Sequence, residues 1–303
     1  MSFTRTVGVY GLTDSALRKR LRERSPSPAT TQYKNRDGDF RITVTADTQA
    51  DADAAVEELR AILNVYAYGV DVPDLATRVV QLLTEKEQTL ATAESCTGGL
   101  LSAMVTAVPG ASAVFECGVA AYSAAIKQRV VGVSAETLRK HSTISAQTAA
   151  EMAIGVRQLG NARLGIGITG AAGPSASERY PAGTVFVAMA DDRRVWHKQL
   201  NLDGEALGRD KVRRAAALQA LDLVRRYLEA YPAVAAGGEL LATPAEEPPE
   251  PDLSPISKRP WKRRLLPHKR NGLAENFRIV SLWLIVLIFL IVLAGLLAMF
   301  LNP

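Results

Sequence analysis

Two places in this 303-residue chain bring reactive residue types to the end of an apolar run. Residues 89–93 (TLATA) read as a short strand. They stop at Glu94-Ser95-Cys96-Thr97-Gly98-Gly99, and residues 100–108 then read as an apolar helix. A helix N-terminus carries free backbone N–H groups and the positive end of the helix dipole. Such a terminus stabilises an anion, whether a ligand phosphate or a developing oxyanion. Gly98 and Gly99 let a ligand approach the backbone closely. Ser95 therefore stands where a nucleophile would profit, although Ser95 or Thr97 acting only as a helix cap fits the local sequence equally well. Residues 163–168 (RLGIGI) read as a second strand, which runs into Thr169-Gly170-Ala171-Ala172-Gly173-Pro174. The two turns converge if their strands are neighbours. Cys96 is a rival nucleophile with His141 as its base, but its place beside Ser95 points it into a helix–sheet core.

The elements around these turns must hold them still. Residues 75–83 and 145–159 read as helices, residues 118–122 as a strand and residues 207–230 as a long closing helix. Residues 183–190 and 194–200 form a hairpin with Asp191-Asp192 in its turn. Strands alternating with helices over residues 72–231 predict a layered α/β sandwich, and the hairpin makes its sheet mixed. Residues 1–71 predict a small α+β domain. It has strands at 6–10 and 40–46 (FRITVTA, of strong β-propensity) and helices at 15–23 and 50–63, the first capped by Thr13 or Asp14. Gly8-Val9-Tyr10-Gly11 matches a GxxG pattern that clamps nucleic-acid backbones in KH domains. Here it sits at a strand end in a domain whose charges nearly cancel, so no nucleic-acid partner is expected.

Composition narrows the chemistry further. With 48% hydrophobic residues the chain has material for a packed core. Cys96 and Cys117 show no metal-ligand spacing and no CxxC, and there are three histidines, His141, His197 and His268. No metal or other cofactor is expected, and a reducing compartment fits, with a single disulfide as the alternative. The net charge of +5 is local. Residues 258–278 hold eight Lys or Arg against Glu275, a net +7, which leaves −2 for everything else. This basic segment precedes residues 279–301 (IVSLWLIVLIFLIVLAGLLAMFL), which are free of charge. As a helix they would span roughly 35 Å, enough to cross a hydrocarbon core of ~30 Å. The flanking cations orient the span with the folded domains in the cytoplasm, as a single-pass C-terminal anchor, and suit lipid headgroups. Residues 232–257, rich in Pro, Glu and Ala, are expected to form a semi-extended linker.

Ala93-Glu94-Ser95-Cys96-Thr97-Gly98-Gly99-Leu100 resembles the signature of the CinA C-terminal family, the nicotinamide mononucleotide deamidases. Further blocks follow in the family's order. They are Tyr122-Ser123 with Lys127; residues 141–145 with Glu151-Met152-Ala153; Ile168-Thr169-Gly170 with Ala172-Gly173-Pro174 and Gly183-Thr184-Val185; and Gly208-Arg209 with Val212-Arg213. Residues 5–70 look like the KH-like middle region of longer CinA proteins, whose nucleotide-pyrophosphatase domain, with its activity, is expected to be absent. The resemblance implies hydrolysis of the nicotinamide carboxamide with release of ammonia, in pyridine-nucleotide salvage. It makes Ser95 the nucleophile, Lys127 its base, Tyr122 the residue that relays or positions the proton and Arg209 the group that orients substrate or stabilises charge. Thr97, Gly98, Gly99, Thr169, Gly170 and Gly173 would contact the nucleotide. Ser–Lys pairs are an established variant of triad logic, and lysine serves as a base where burial or a cationic neighbour lowers its pKa. Arg209 is the candidate neighbour. Two features depart from the family pattern: Ser175-Ala176-Ser177 replaces a glycine-rich loop, and the transmembrane tail is added. They favour a rival reading, a catalytically weak ligand-binding or interaction module held at the membrane. Related α/β domains often pair, which leaves a homo-oligomer open.

Overall fold

The computed structural model describes residues 2–23, 27–230 and 239–241. The first part is a four-stranded antiparallel sheet, β1 (Phe3–Tyr10), β2 (Thr30–Arg36), β3 (Asp39–Ala46) and β4 (Ala67–Val70), in the order β2-β3-β1-β4. α1 (Asp14–Arg22) and α2 (Gln49–Leu63) cover one face. The period-2 alternation of β3 decides which face: Phe40, Ile42, Val44 and Ala46 are buried against Leu17, Val56 and Leu59. Thr13 caps α1 and Thr48 caps α2. β2 and β4 add to the strands expected from sequence. The β2–β3 connection is Asp37-Gly38, with φ of +58° and +91°, a two-residue turn whose twist suits a hairpin. The GxxG stretch has a structural explanation. A Cβ on Gly8 would lie 2.2 Å from the ring of Tyr68, so the glycine makes room for that ring.

The second part contains α3 (Leu75–Glu85), β5 (Leu90–Glu94), α4 (Leu100–Thr106), β6 (Phe115–Ala120), α5 (Ala124–Val131), α6 (Ala135–His141), α7 (Ala146–Leu159), β7 (Leu164–Gly170), β8 (Thr184–Ala190), β9 (Val195–Asn201), α8 (Gly204–Leu207), α9 (Arg209–Leu228) and β10 (Glu239–Leu241). Its strands run in the order β10-β9-β8-β7-β5-β6. β6, β5 and β7 are parallel, and β7 through β10 are successively antiparallel, so the sheet is mixed as expected. α3, α4 and α9 share one apolar core with Ile166, Ile168, Val185 and Val187. α7 covers the other face, over Phe186, Ala188 and Ala190. The RLGIGI sequence serves both layers. Its isoleucines fill the first core, while Gly165 and Gly167 admit α7; a Cβ at either would lie 2.1 Å from the carbonyl oxygen of Ala153 or Ala149.

The two parts share a core, in which Tyr10 and Tyr68 pack with Leu75, Val79 and Val224. Asp222 on α9 accepts from both Arg225 (2.7 Å) and Arg226 (2.8 Å), and all three are buried. Arg225 also donates to the Val65 carbonyl at 2.8 Å. The Tyr66 ring takes the guanidinium groups of Arg20 and Arg226 at 5.2 and 5.6 Å. A buried ion cluster of this kind holds the small domain in one orientation on α9, because losing either partner would strand a buried charge.

Among the described residues no helix is long and apolar enough to cross a membrane. The expected basic segment 258–278 and span 279–301 lie outside the described residues, as does the expected linker apart from Glu239–Leu241. Those three residues pair with β9 as an edge strand.

Candidate active site

The parallel strands β6, β5 and β7 end at one edge of the sheet. Their register sets Glu94 beside both Ala120 and Ile168, so the turns after the three strands meet there. The Ser95 N–H donates to the Ile168 carbonyl at 2.8 Å, which extends the ladder by one residue and fixes the serine backbone.

Lys127 reaches this point from the first turns of α5. Ser123 caps that helix by accepting from the Ile126 N–H, and Gly132 closes it in the left-handed region. The lysine is 1% exposed. Its Nζ donates to the carbonyls of Ala121 (3.0 Å) and Tyr122 (2.9 Å) and lies 2.7 Å from Ser95 Oγ. No carboxylate pairs with it among the described residues. Burial therefore dominates and lowers its pKa to about 8, with the charges of Cys96 and Glu178 opposing. Of the two causes expected, burial or a cationic neighbour, burial is the one that acts, and Arg209 is not among the groups that shift this lysine. As an ammonium the lysine donates to all three oxygens, Ser95 Oγ included. In its neutral form the two carbonyls, which only accept, take both N–H bonds, and the lone pair then faces Ser95 and can accept the serine proton.

Tyr122 meets the lysine through its backbone. Its carbonyl holds Lys127, while its side chain is 64% exposed and its hydroxyl receives Arg209 Nη2 at 3.4 Å. Among the described residues that hydroxyl bonds to neither Ser95 nor Lys127. Arg209 opens α9 after Gly208, and its Nη1 donates to the Gly173 carbonyl at 2.9 Å. An open cleft of about 170 Å³ lies between these groups. Ser95, Tyr122, Arg209, Gly170, Gly173, Ser175 and Ser177 line it. Lys127 sits behind Ser95, buried beneath the cleft.

Other expected ligand contacts lie outside this lining. Thr169 is buried and its hydroxyl donates to the Thr143 carbonyl at 2.6 Å. Thr97 is also buried, and among the described residues its Oγ1 has no hydrogen-bond partner. The N-terminus of α4 is occupied from within. The buried Glu94 carboxylate accepts from the N–H groups of Gly99 (3.0 Å), Leu101 (3.0 Å) and Ser102 (2.8 Å) and from the Ser102 hydroxyl (2.6 Å). The anion expected from a ligand at this terminus is thus a side chain of the protein. Gly98 and Gly99, with φ of +59° and +96°, shape the turn that lets Glu94 reach back.

Glu94 and Arg213 are the two site residues without an assigned role in the sequence reading. Arg213 Nη2 donates to the Thr97 carbonyl at 2.8 Å and ties the serine turn to α9. Both stand inside the motif blocks, one residue before Ser95 and four after Arg209, which is the signal that marks them. The Ser175–Ser177 loop is held through Glu178, which accepts from the hydroxyls of Ser142 and Thr143. Cys96 packs in the apolar core, and burial pushes its thiol up to about 11, so it stays protonated near neutrality. Both cysteines are free.

Residues 73–228 match the family model described as the CinA C-terminal domain. A CinA-like protein of Desulfovibrio desulfuricans is 39% identical over 236 residues, which cover 75% of this chain and 55% of that protein. A CinA-like protein of Thermosynechococcus vestitus is 37% identical over 239 residues, 76% of this chain and 57% of that protein. The chain thus spans just over half the length of these relatives. Among solved structures, a CinA superfamily protein from Enterobacter cloacae shares 32% identity with a TM-score of 0.49, over 52% of this chain and 92% of that one.

Proposed function

The chain belongs to the CinA C-terminal domain family, and on that premise we propose that it is a metal-free serine amidohydrolase that converts nicotinamide mononucleotide to nicotinate mononucleotide and ammonia. The observation that carries this reading is the 2.7 Å contact between Lys127 Nζ and Ser95 Oγ, with the remaining lysine contacts both on backbone carbonyls. A buried lysine with no carboxylate partner, whose neutral form turns its lone pair toward a hydroxyl, has the properties of a general base.

The steps follow from that arrangement. Ser95 Oγ attacks the carboxamide carbon as Lys127 takes the serine proton. The tetrahedral intermediate carries its negative charge on the former carbonyl oxygen. Glu94 engages the N–H groups of Gly99, Leu101 and Ser102, and of the residues that follow Ser95 in this turn Cys96 lines the cleft, so its backbone N–H is the donor proposed for that oxygen. When the C–N bond breaks, Lys127 returns the proton to the leaving nitrogen, which departs as ammonia. Water then attacks the acyl ester, Lys127 takes one water proton and passes it to Ser95 Oγ as the acyl C–O bond breaks, and the carboxylic acid released loses its proton to solvent to give the carboxylate. Arg209, at the open side of the cleft, suits the nucleotide phosphate or the negative charge of the intermediate.

The sequence further supports a site of action at a membrane, with residues 279–301 as the anchor and the folded domains on the cytoplasmic side. Retention of the full chain in a carbonate-washed membrane pellet checks that placement.

The test of the activity is ammonia release from nicotinamide mononucleotide by the full chain, beside Ser95→Ala and Lys127→Met. Release by the parent chain and loss in both variants supports the hydrolase. A folded parent chain that binds the nucleotide without releasing ammonia would instead favour a ligand-binding module.

A further inference from the structure

The small domain carries a second arrangement that the serine cleft does not use. Lys34 on β2 stands directly opposite Arg41 on β3. Like charges facing one another across an antiparallel pair repel, so the arrangement opposes strand pairing. Arg36 lies two positions along β2 from Lys34, on the same face. Among the described residues none of the three side chains has an ion pair or a hydrogen bond. Arg214, which also lines the cavity, differs in being paired with Asp37 at 3.0 Å.

These cations form one wall of a cavity of about 380 Å³ between the small domain and the α/β domain. The facing wall is supplied by Met104 and Ala107 at α4 and by Leu218 on α9, with the Tyr68 ring at one side. Two acids also border the cavity, and both are engaged. Asp39 stands directly opposite Arg36 in the β2–β3 register and accepts from the Tyr68 hydroxyl at 2.8 Å. Asp74 caps α3 by accepting from the Thr77 N–H and hydroxyl, each at 2.8 Å. The cavity thus offers the Lys34 and Arg41 charges, facing one another without an acid between them, with Arg36 beside them, and apolar surface on the other side.

We infer that this cavity between the domains binds a phosphorylated small molecule of the nucleotide class, with its phosphates on Lys34, Arg36 and Arg41 and its apolar ring against Met104, Ala107 and Leu218. A bound polyanion would remove the repulsion between Lys34 and Arg41. The cations form one confined cluster, which suits one or two phosphate groups of a small molecule better than a long polyanion. The site is separate from the Ser95 cleft and shares no lining residue with it.

The experiment is calorimetric titration of the full chain with ADP and, separately, with inorganic pyrophosphate at low and moderate salt. Saturable binding of ADP in a one-to-one ratio, weakened by salt, is expected. Lys34→Ala and Arg41→Ala should each weaken it about tenfold or more, and Ser95→Ala should leave it unchanged. These side chains are exposed and one substitution relieves repulsion, so melting temperatures should hold, and Arg41→Gln provides a second check. Three results would overturn the inference. One is no ADP binding up to millimolar concentration. Another is binding that survives Arg41→Ala but is lost in Arg209→Ala, which would put the nucleotide in the serine cleft. The third is a single-stranded oligonucleotide that binds more tightly than ADP and depends on the same cations.

Discussion

Lys127 Nζ and Ser95 Oγ stand 2.7 Å apart, although 32 positions separate the residues in the chain. The pair exists because β5 and β6 are parallel neighbours whose ends release Ser95 and the α5 segment at the same edge. Its chemistry depends on the charge of the lysine, and that sets the first prediction. With a pKa of about 8, roughly a tenth of the chains hold neutral Lys127 at pH 7. Since the neutral form is the base, kcat/KM for ammonia release should rise about tenfold per pH unit below pH 8 and level off above it. Lys127→Met should lower it by more than about a thousandfold. A pH-independent rate between pH 6 and 9 would remove Lys127 from the role of base.

The same lysine should be visible in stability. Its folded pKa, about 8, lies below its ordinary value of 10.5, because burial penalises the charged form. Between those values the unfolded chain binds more protons, so stability rises with pH across that window and the penalty persists in full below it. The change amounts to about 3 kcal/mol. Other groups titrate there too, so the quantity to measure is the difference between the parent chain and Lys127→Met in urea unfolding at pH 7.5 and 10.5. The parent chain should gain relative to the variant.

Glu94→Gln should destabilise the protein by about 2 kcal/mol, because the amide brings donors to a place where Gly99, Leu101 and Ser102 already donate. As Glu94 holds the turn that carries Ser95, kcat should fall while KM changes little. Thermal unfolding and steady-state kinetics on one preparation test both parts. Unchanged kinetics in a folded variant would make Glu94 a helix cap only.

Cys96→Ala should keep most of the activity, since the thiol is buried and protonated near neutrality. Iodoacetamide at pH 7.5 should leave Cys96 unlabelled in the folded chain, as peptide mass spectrometry would report. Inactivation that tracks Cys96 labelling would revive the thiol as nucleophile.

Gly167→Ala should cost about 1–3 kcal/mol or more, because its Cβ would lie 2.1 Å from the Ala149 carbonyl and push α7 off the sheet. Gly99→Ala meets no atom within 4 Å and pays only for its positive φ, about 1 kcal/mol. Denaturant midpoints of the two variants should fall in that order.

Much of the architecture was legible from local pattern. β3 alternates strictly, and the hairpin of β8 and β9 encloses Asp191-Asp192 as expected. Period-2 burial and turn chemistry are short-range properties that survive without knowledge of the fold. β2 was legible as well, through the Asp37-Gly38 pair that closes its hairpin, yet its mostly polar residues hide it from a search for apolar runs. α5 and α6 are short, with 8 and 7 residues, and their signals are the capping serines Ser123 and Ser134 rather than periodicity.

By itself the sequence determined the α/β class, the turn that carries Ser95 and the motif blocks that single out Lys127 and Arg209. The first two follow from residue type and spacing along the chain, and Lys127 and Arg209 are singled out by the resemblance of those blocks to the family. Only the tertiary structure decided which groups meet. It gave the helix N-terminus to Glu94, turned the Tyr122 hydroxyl toward Arg209, and buried Lys127 between two carbonyls and a serine hydroxyl. Burial and hydrogen-bond partners are set by strand order and layer packing. Each depends on residues far away in the chain, so no local stretch can encode them alone.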